Sequence, residues 1–127
     1  MNKEDILEKA KKFVYRNARP LELARWKYHF ENGSVNDILN CLSMYQNEDG
    51  GFAYALEPDN WNTNSTPIAV WYATQRLWEI GFTDAAHPMI QGILKYLDSG
   101  KEFANGLIRL PVIMTIRMRY GGLVITI

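Results

Sequence analysis

Cysteine is almost absent: Cys41 stands alone, so no disulfide can close within the chain. With only His29 and His87 to join it, Cys41 makes a poor metal cluster, and neither a metal nor another cofactor is expected. Beside Leu42 its expected role is that of a small buried hydrophobe. Net charge is lacking as well, because Lys+Arg and Asp+Glu both number 14. That balance removes the electrostatic drive toward nucleic acid or an anionic membrane, so neither partner is expected. No apolar run is long enough for a signal peptide or a membrane span. The opening MNKEDILEKAKK mixes both charge signs, and a cytoplasmic location is expected. Without a secretory signal the glycosylation patterns Asn32-Gly33-Ser34 and Asn64-Ser65-Thr66 carry no consequence.

What is present is a helical pattern. The 127 residues, 47% hydrophobic and 22% charged, suit one globular domain with one modest core. Ile6, Leu7, Ala10, Phe13 and Val14 recur at steps of three and four, which predicts a first helix over Glu4 to Tyr15. Pro20 fits the first turn of a second helix carrying Leu21, Ala24 and Tyr28, and Asn32-Gly33 breaks it. Ser34 is placed to cap a third over Val35 to Tyr45, with Ile38, Leu39, Leu42 and Tyr45 on one side. Residues 50 to 66 are rich in turn formers and read as a loop. Thr66-Pro67 then opens a strong helix through Ile68, Trp71, Tyr72, Leu77 and Trp78, ended by Gly81. Asp84 is expected to begin a fifth through Met89, Ile90, Ile93, Leu94 and Leu97, closed by Ser99-Gly100, with His87-Pro88 as a helix-start turn.

The chain also echoes itself. Ile38, Leu39 and Leu42 before Asp49-Gly50-Gly51 correspond to Ile93, Leu94 and Leu97 before Ala104-Asn105-Gly106, a displacement of about 55 residues. Such a unit, a helix, a glycine turn and a returning helix, cannot bury both faces alone and must stack on neighbours. Directly after the third helix comes Gln46-Asn47-Glu48-Asp49-Gly50-Gly51-Phe52. Gln46 is suited to capping free helix carbonyls, Asp49 to accepting from backbone N–H groups, the two glycines to positive φ, and Phe52 to packing on the adjoining helix. This segment resembles the Q-x-x-D-G-G-[FW] loop of the α/α-toroid family of terpenoid cyclases and protein prenyltransferases. The resemblance continues through Ala55-Leu56-Glu57-Pro58-Asp59 and Ser65-Thr66-Pro67-Ile68-Ala69, as in an uncharacterised bacterial branch, and covers about residues 1–107.

The resemblance implies an all-α fold of antiparallel helical hairpins, about six of which make a full ring around a cavity that holds an isoprenoid or other small molecule. This chain supplies about two, an incomplete α/α toroid over residues 1–106. Neither the D-x-D-D acid of protonating cyclases nor the D-D-x-x-D magnesium site of ionising synthases occurs in the sequence. The zinc set of prenyltransferases has no counterpart around Cys41. The nearest candidates for acid and base are Glu57 and Asp59, whose bland alternative is a loop held by Asx-type hydrogen bonds. Trp61, Trp71 and Tyr72 are candidate cavity aromatics that would stabilise a carbocation or stack on a sugar; at helical spacing such rings more often fill a core. Two function classes follow. One is a fragment of a cyclase- or prenyltransferase-like protein, inactive alone; the other is a non-catalytic helical-repeat binding scaffold or a carbohydrate-active α/α-barrel fragment.

The tail differs in kind. Through Glu102 there are 14 acidic and 11 basic residues, a net of −3, whereas Arg109, Arg117 and Arg119 give the rest +3. Residues 107–127 alternate Ile116, Met118 and Tyr120 with Arg117 and Arg119 before Gly121-Gly122 and a β-branched run, the pattern of a short C-terminal β-hairpin. Strands contradict the helical plan. A reading-frame shift near residue 106 would account for them: codons for the Asn-Asp-Tyr-Pro-His-Ala-Leu-Trp-Trp segment of toroid relatives, read one frame over, spell Met114 to Gly122. A native hairpin lid is the alternative. A frame-shifted product would expose the flank where a third hairpin docks, and self-association through that apolar surface is expected.

Overall fold

Four of the five helical stretches begin on a side chain able to close a first turn, and the other begins on a proline. In the computed structural model, which describes residues 2–59 and 61–100 and the backbone of 115–119 and 122–126, they become five α-helices. These are α1 (Lys3–Asn17), α2 (Pro20–Phe30), α3 (Val35–Ser43), α4 (Pro67–Glu79) and α5 (Pro88–Ser99). Side chains cap four of them. Asn2 Oδ1 accepts from the Asp5 N–H at 2.9 Å, Ser34 Oγ from Asp37 at 3.1 Å, Thr66 Oγ1 from Ala69 at 3.3 Å and His87 Nδ1 from Met89 at 3.1 Å. Pro20, Pro67 and Pro88 occupy first-turn positions, where a missing N–H costs nothing. The described part of residues 1–100 is therefore all-α. Farther along, β1 (Thr115–Arg119) pairs antiparallel with β2 (Gly122–Thr126), Thr115 opposite Thr126 and Arg119 opposite Gly122. The boundary at residue 106, the Ala104-Asn105-Gly106 echo and the proposed frame shift lie outside the described residues.

Three expectations need correction. The fifth helix starts at Pro88, not Asp84, because proline disfavours helical backbone in the residue before it. Asp84 instead closes a turn, its Oδ1 accepting from the Ala86 N–H at 3.1 Å and its carbonyl from the His87 N–H at 3.1 Å. The third helix stops at Ser43, two residues before Tyr45. The buried face of α4 is also rotated from the expected one. Val70, Ala73, Thr74 and Leu77 are buried, while Ile68, Trp71 and Tyr72 are only half-buried and Trp78 is 68% exposed. Small residues form the tight face of this helix, and its largest rings are left on the flank.

Residues 1–44 and 45–127 form two compact units. In the first, α2 packs on α3, and Leu21, Ala24, Ile38, Leu39 and Leu42 are buried. Asn32 takes a left-handed φ of 56°, and the Gly33 N–H returns to the Lys27 carbonyl at 2.8 Å, which ends α2. A Cβ on Gly33 would stand 2.7 Å from the Lys27 backbone, so only glycine fits this return. Helix α1 buries no residue completely. It is fastened to the end of α2 by Glu31, which accepts from the Tyr15 hydroxyl at 2.9 Å and pairs with Lys11 Nζ at 3.0 Å. Tyr15 also lies 5.7 Å from the Lys27 ammonium, ring centroid to nitrogen, so later residues of α2 meet earlier residues of α1 and the pair is antiparallel. The second unit has Phe52, Leu56, Val70, Leu77, Ile90 and Ile93 at its core.

The Lys11 hydrogen bond, then that of Tyr15, holds the Glu31 carboxyl below the usual glutamate range. A carboxyl lowered in the folded chain contributes stability above its unfolded pKa and loses it as pH falls through the folded value. The Glu31 bonds raise Lys11 and Tyr15, whose contributions are present at neutral pH and lost as pH rises through their folded values. NMR titration of the Glu31 side-chain carboxyl should give a midpoint below about 4.3, the ordinary glutamate value, and Tyr15→Phe should move it upward. A midpoint that Tyr15→Phe leaves in place would show that the hydroxyl is not bonded to it.

Candidate functional site

The Gln46 to Phe52 segment is a tight hairpin. Gln46 and Phe52 form an antiparallel bridge, the Asn47 N–H donates to the Gly51 carbonyl at 2.8 Å, and the Gly50 N–H returns to the Asn47 carbonyl at 3.0 Å. Gly50 sits at φ 88°, the left-handed position that ends a turn of this length and that a side chain makes costly. Gly51 is not in that region. Its missing side chain serves space instead, because a Cβ there would lie 2.4 Å from Ser65 Cβ and 2.9 Å from the Tyr96 ring. The expectation of two positive-φ glycines is thus corrected to one for conformation and one for contact.

Polar side chains around the turn are occupied with holding it. Asp49 Oδ1 accepts from the Gly51 N–H at 2.8 Å and from the Ser65 hydroxyl at 2.6 Å. Ser65, itself buried, accepts from Asn47 Nδ2 at 3.0 Å, and the same amide reaches the Thr63 carbonyl at 3.1 Å. The Phe52 carbonyl accepts from the Thr66 N–H at 3.2 Å, which places the hairpin at the start of α4. Gln46 Nε2 donates to Gly50 O and to Met89 O of α5, both at 3.1 Å. The loop therefore ties the entry of α4 to the first turn of α5. Phe52 is fully buried, as its packing role requires.

The approach to α5 depends on Gly92. A Cβ on Gly50 would fall 1.8 Å from the Gly92 carbonyl oxygen, and one on Gly92 would meet Gln46 Nε2 at 2.6 Å. Sequence reasoning missed Gly92, although a signal existed: glycine inside a helix costs about 1 kcal/mol relative to alanine, so its presence there points to a close backbone approach.

Beside the hairpin lies an open cavity of about 620 Å³. Asn47, Glu48 and Asp49 of the hairpin, Thr63, Asn64 and Ser65 before α4, and Tyr54 and Tyr96 line it. Tyr54 is half-exposed on its rim and takes φ 59°, as does Ala55, a conformation costing about 1–2 kcal/mol for a residue with a side chain. Burial of the flanking Phe52, Ala53 and Leu56 offsets that strain. Glu57, half-buried, and Asp59, exposed, do not line the cavity. Nor do Trp61, which is 82% exposed, or Trp71 and Tyr72 on α4. The Tyr72 ring instead carries the Arg76 guanidinium 4.6 Å from its centroid, and Arg76 pairs with Glu79 at 3.2 Å.

Cys41 is half-buried; burial first, then the carboxylates of Asp37 and Glu22, push its thiol above the ordinary range and keep it protonated at neutral pH. No group of three His, Cys, Asp or Glu residues suited to a metal ion occurs among the described residues. No described helix is long and apolar enough to cross a membrane. Comparison of the chain with known protein families, curated proteins and solved structures finds no match.

Two glycine substitutions separate contact from conformation. Gly50→Ala combines positive φ with a clash against backbone and should cost at least about 2 kcal/mol in urea unfolding. Gly81→Ala, at φ 64° with open space around it, should cost about 1 kcal/mol. Equal losses at the two positions would contradict the close approach of the loop to α5.

Proposed function

We propose that the chain is a stretch of α/α-toroid-like helical repeat in which the Gln46 to Phe52 hairpin is a structural joint. On this reading it belongs to a terpenoid-cyclase- or prenyltransferase-like protein and is inactive alone, with a cytoplasmic location and an isoprenoid-type ligand held by a complete ring. The observation that carries it is the occupancy of the motif's polar groups. Asp49 Oδ1 already accepts two hydrogen bonds and Gln46 Nε2 already donates two, so the residues most specific to the motif are spent on connecting α4 with α5. Fold and activity are separable in such a scaffold, and a joint of this kind supports a cavity without reacting in it.

A second reading is favoured by the cavity itself. Its amides, hydroxyls and carboxylates beside the Tyr54 and Tyr96 rings suit a polyhydroxylated ligand better than a hydrocarbon, the chemistry of a glycan-binding scaffold or a carbohydrate-active fragment. Stacking of a sugar on the exposed Tyr54 ring would supply the apolar part of that recognition.

Incubation with farnesyl diphosphate and magnesium tests the first reading. The 127-residue chain should release no diphosphate above a buffer control, and turnover by the chain would overturn it. A soluble oligosaccharide followed by NMR distinguishes the second: shifts confined to Asn47, Asp49, Tyr54 and Asn64, lost in Tyr54→Ala, would favour the glycan reading. Shifts absent from these residues would remove it.

A further inference from the structure

Helix α1 presents two unlike sides. On one, Leu7 joins Trp26 and Phe30 of α2 to floor a groove of about 310 Å³ whose rim carries Glu4, Glu8 and Glu31. Lys11, also on that rim, is already paired with Glu31. On the other, at 3.6 residues per turn, Phe13 shares a face with Ile6, Lys9 and Arg16, and Lys12 adjoins them. Phe13 is 68% exposed and Ile6 54%, an unusual state for an amphipathic helix that has already spent Leu7, Ala10 and Val14 on its half-buried stripe. One side is an acidic-rimmed apolar groove. The other is an aromatic knob set among cations.

The geometry points to a second copy of this chain as the occupant of the groove: Phe13 of one molecule rests on the floor made by Leu7 and the stacked Trp26 and Phe30 rings of the next, 4.4 Å apart, with Lys9, Lys12 and Arg16 against Glu4 and Glu8. The charge pattern selects this occupant, because the two sides of α1 complement each other and neither complements itself. Asp5, on the knob side, is the one acidic residue there, and the Glu8–Lys12 pair within α1 is long, at 3.6 Å, and exposed. Such a pair is worth little and exchanges readily for an intermolecular one. Groove and knob lie on different faces, so the contact is head-to-tail and leaves a free groove and a free knob after each addition. Association should then pass beyond a dimer unless the ring closes. This inference uses residues 1–31 alone and stands or falls apart from the toroid reading.

Sedimentation of the full chain across protein and salt concentration tests it. The average mass should rise past that of a dimer with concentration and fall in high salt, where the screening length drops from about 10 Å to about 3 Å. Phe13→Asp removes the knob and Glu4→Lys/Glu8→Lys reverses the groove rim; all three positions are exposed, and circular dichroism checks that the helices persist. Each variant alone should be monomeric. An equimolar mixture should form a complex that stops at two chains, since one variant keeps a groove and the other a knob. Variants that associate as the parent does, a mixture that stays monomeric, or a parent that is monomeric and instead binds phosphatidylserine vesicles would each overturn the proposal.

Discussion

Gly50 can lie against the Gly92 carbonyl only because neither residue carries a side chain, and the arrangement around the loop depends on that approach. Once the two backbones are in contact, Gln46 is within reach of both the Gly50 and Met89 carbonyls and satisfies two acceptors with one amide. Asp49 and Ser65 then close the turn from the other side, and the Phe52 carbonyl fixes the first N–H of the cap of α4. Each bond is worth about 0.5–1.5 kcal/mol net, but they share partners, so the loss of one weakens the rest. A glycine pair has thereby turned a loop into a connector between two helices.

The first unit is held differently. Its α2–α3 contact is an apolar seam, whereas α1 combines a half-buried stripe of Leu7, Ala10 and Val14 with an exposed cluster of Lys11, Tyr15 and Glu31 and buries no residue completely. Exposed ion pairs contribute little, so α1, with no residue fully buried, is held less firmly than α2 and α3, whose buried residues form the seam.

Much of the helical plan was legible in the sequence because caps and periodicity act locally. Thr66-Pro67, Ser34 and Pro20 mark starts that depend on one or two residues, and the helices begin within a residue of them. Asp84 and His87-Pro88 offer two start signals within four residues, and the proline constraint at Pro88 decides between them. The rotated face of α4 was not legible, since Trp71 and Trp78 fit a helical stripe as well as Ala73 and Thr74 do, and size alone does not say which side is covered. At the candidate site, the motif pointed to Asp49 as an acceptor from a backbone N–H, Gly50 as a positive-φ position and Phe52 as a packing residue, whereas Gln46, expected to cap free helix carbonyls, reaches the Gly50 carbonyl of its own turn and that of Met89 in the first turn of α5. Ser65, Gly92 and Tyr96 were not foreseen because they meet the loop from residues 14 or more positions away, through contacts that no local pattern encodes.

Residue-level hydrogen exchange tests the joint most directly. The N–H groups of Asn47, Gly51, Ala53 and Thr66 are bonded within or across the loop, and if the loop is a structural connector they should open together with the Ile93 amide inside α5. Matching opening free energies for the loop and α5, falling together in Gln46→Ala, are the expected result. Loop amides that exchange orders of magnitude faster than Ile93, with α5 unchanged by Gln46→Ala, would contradict it.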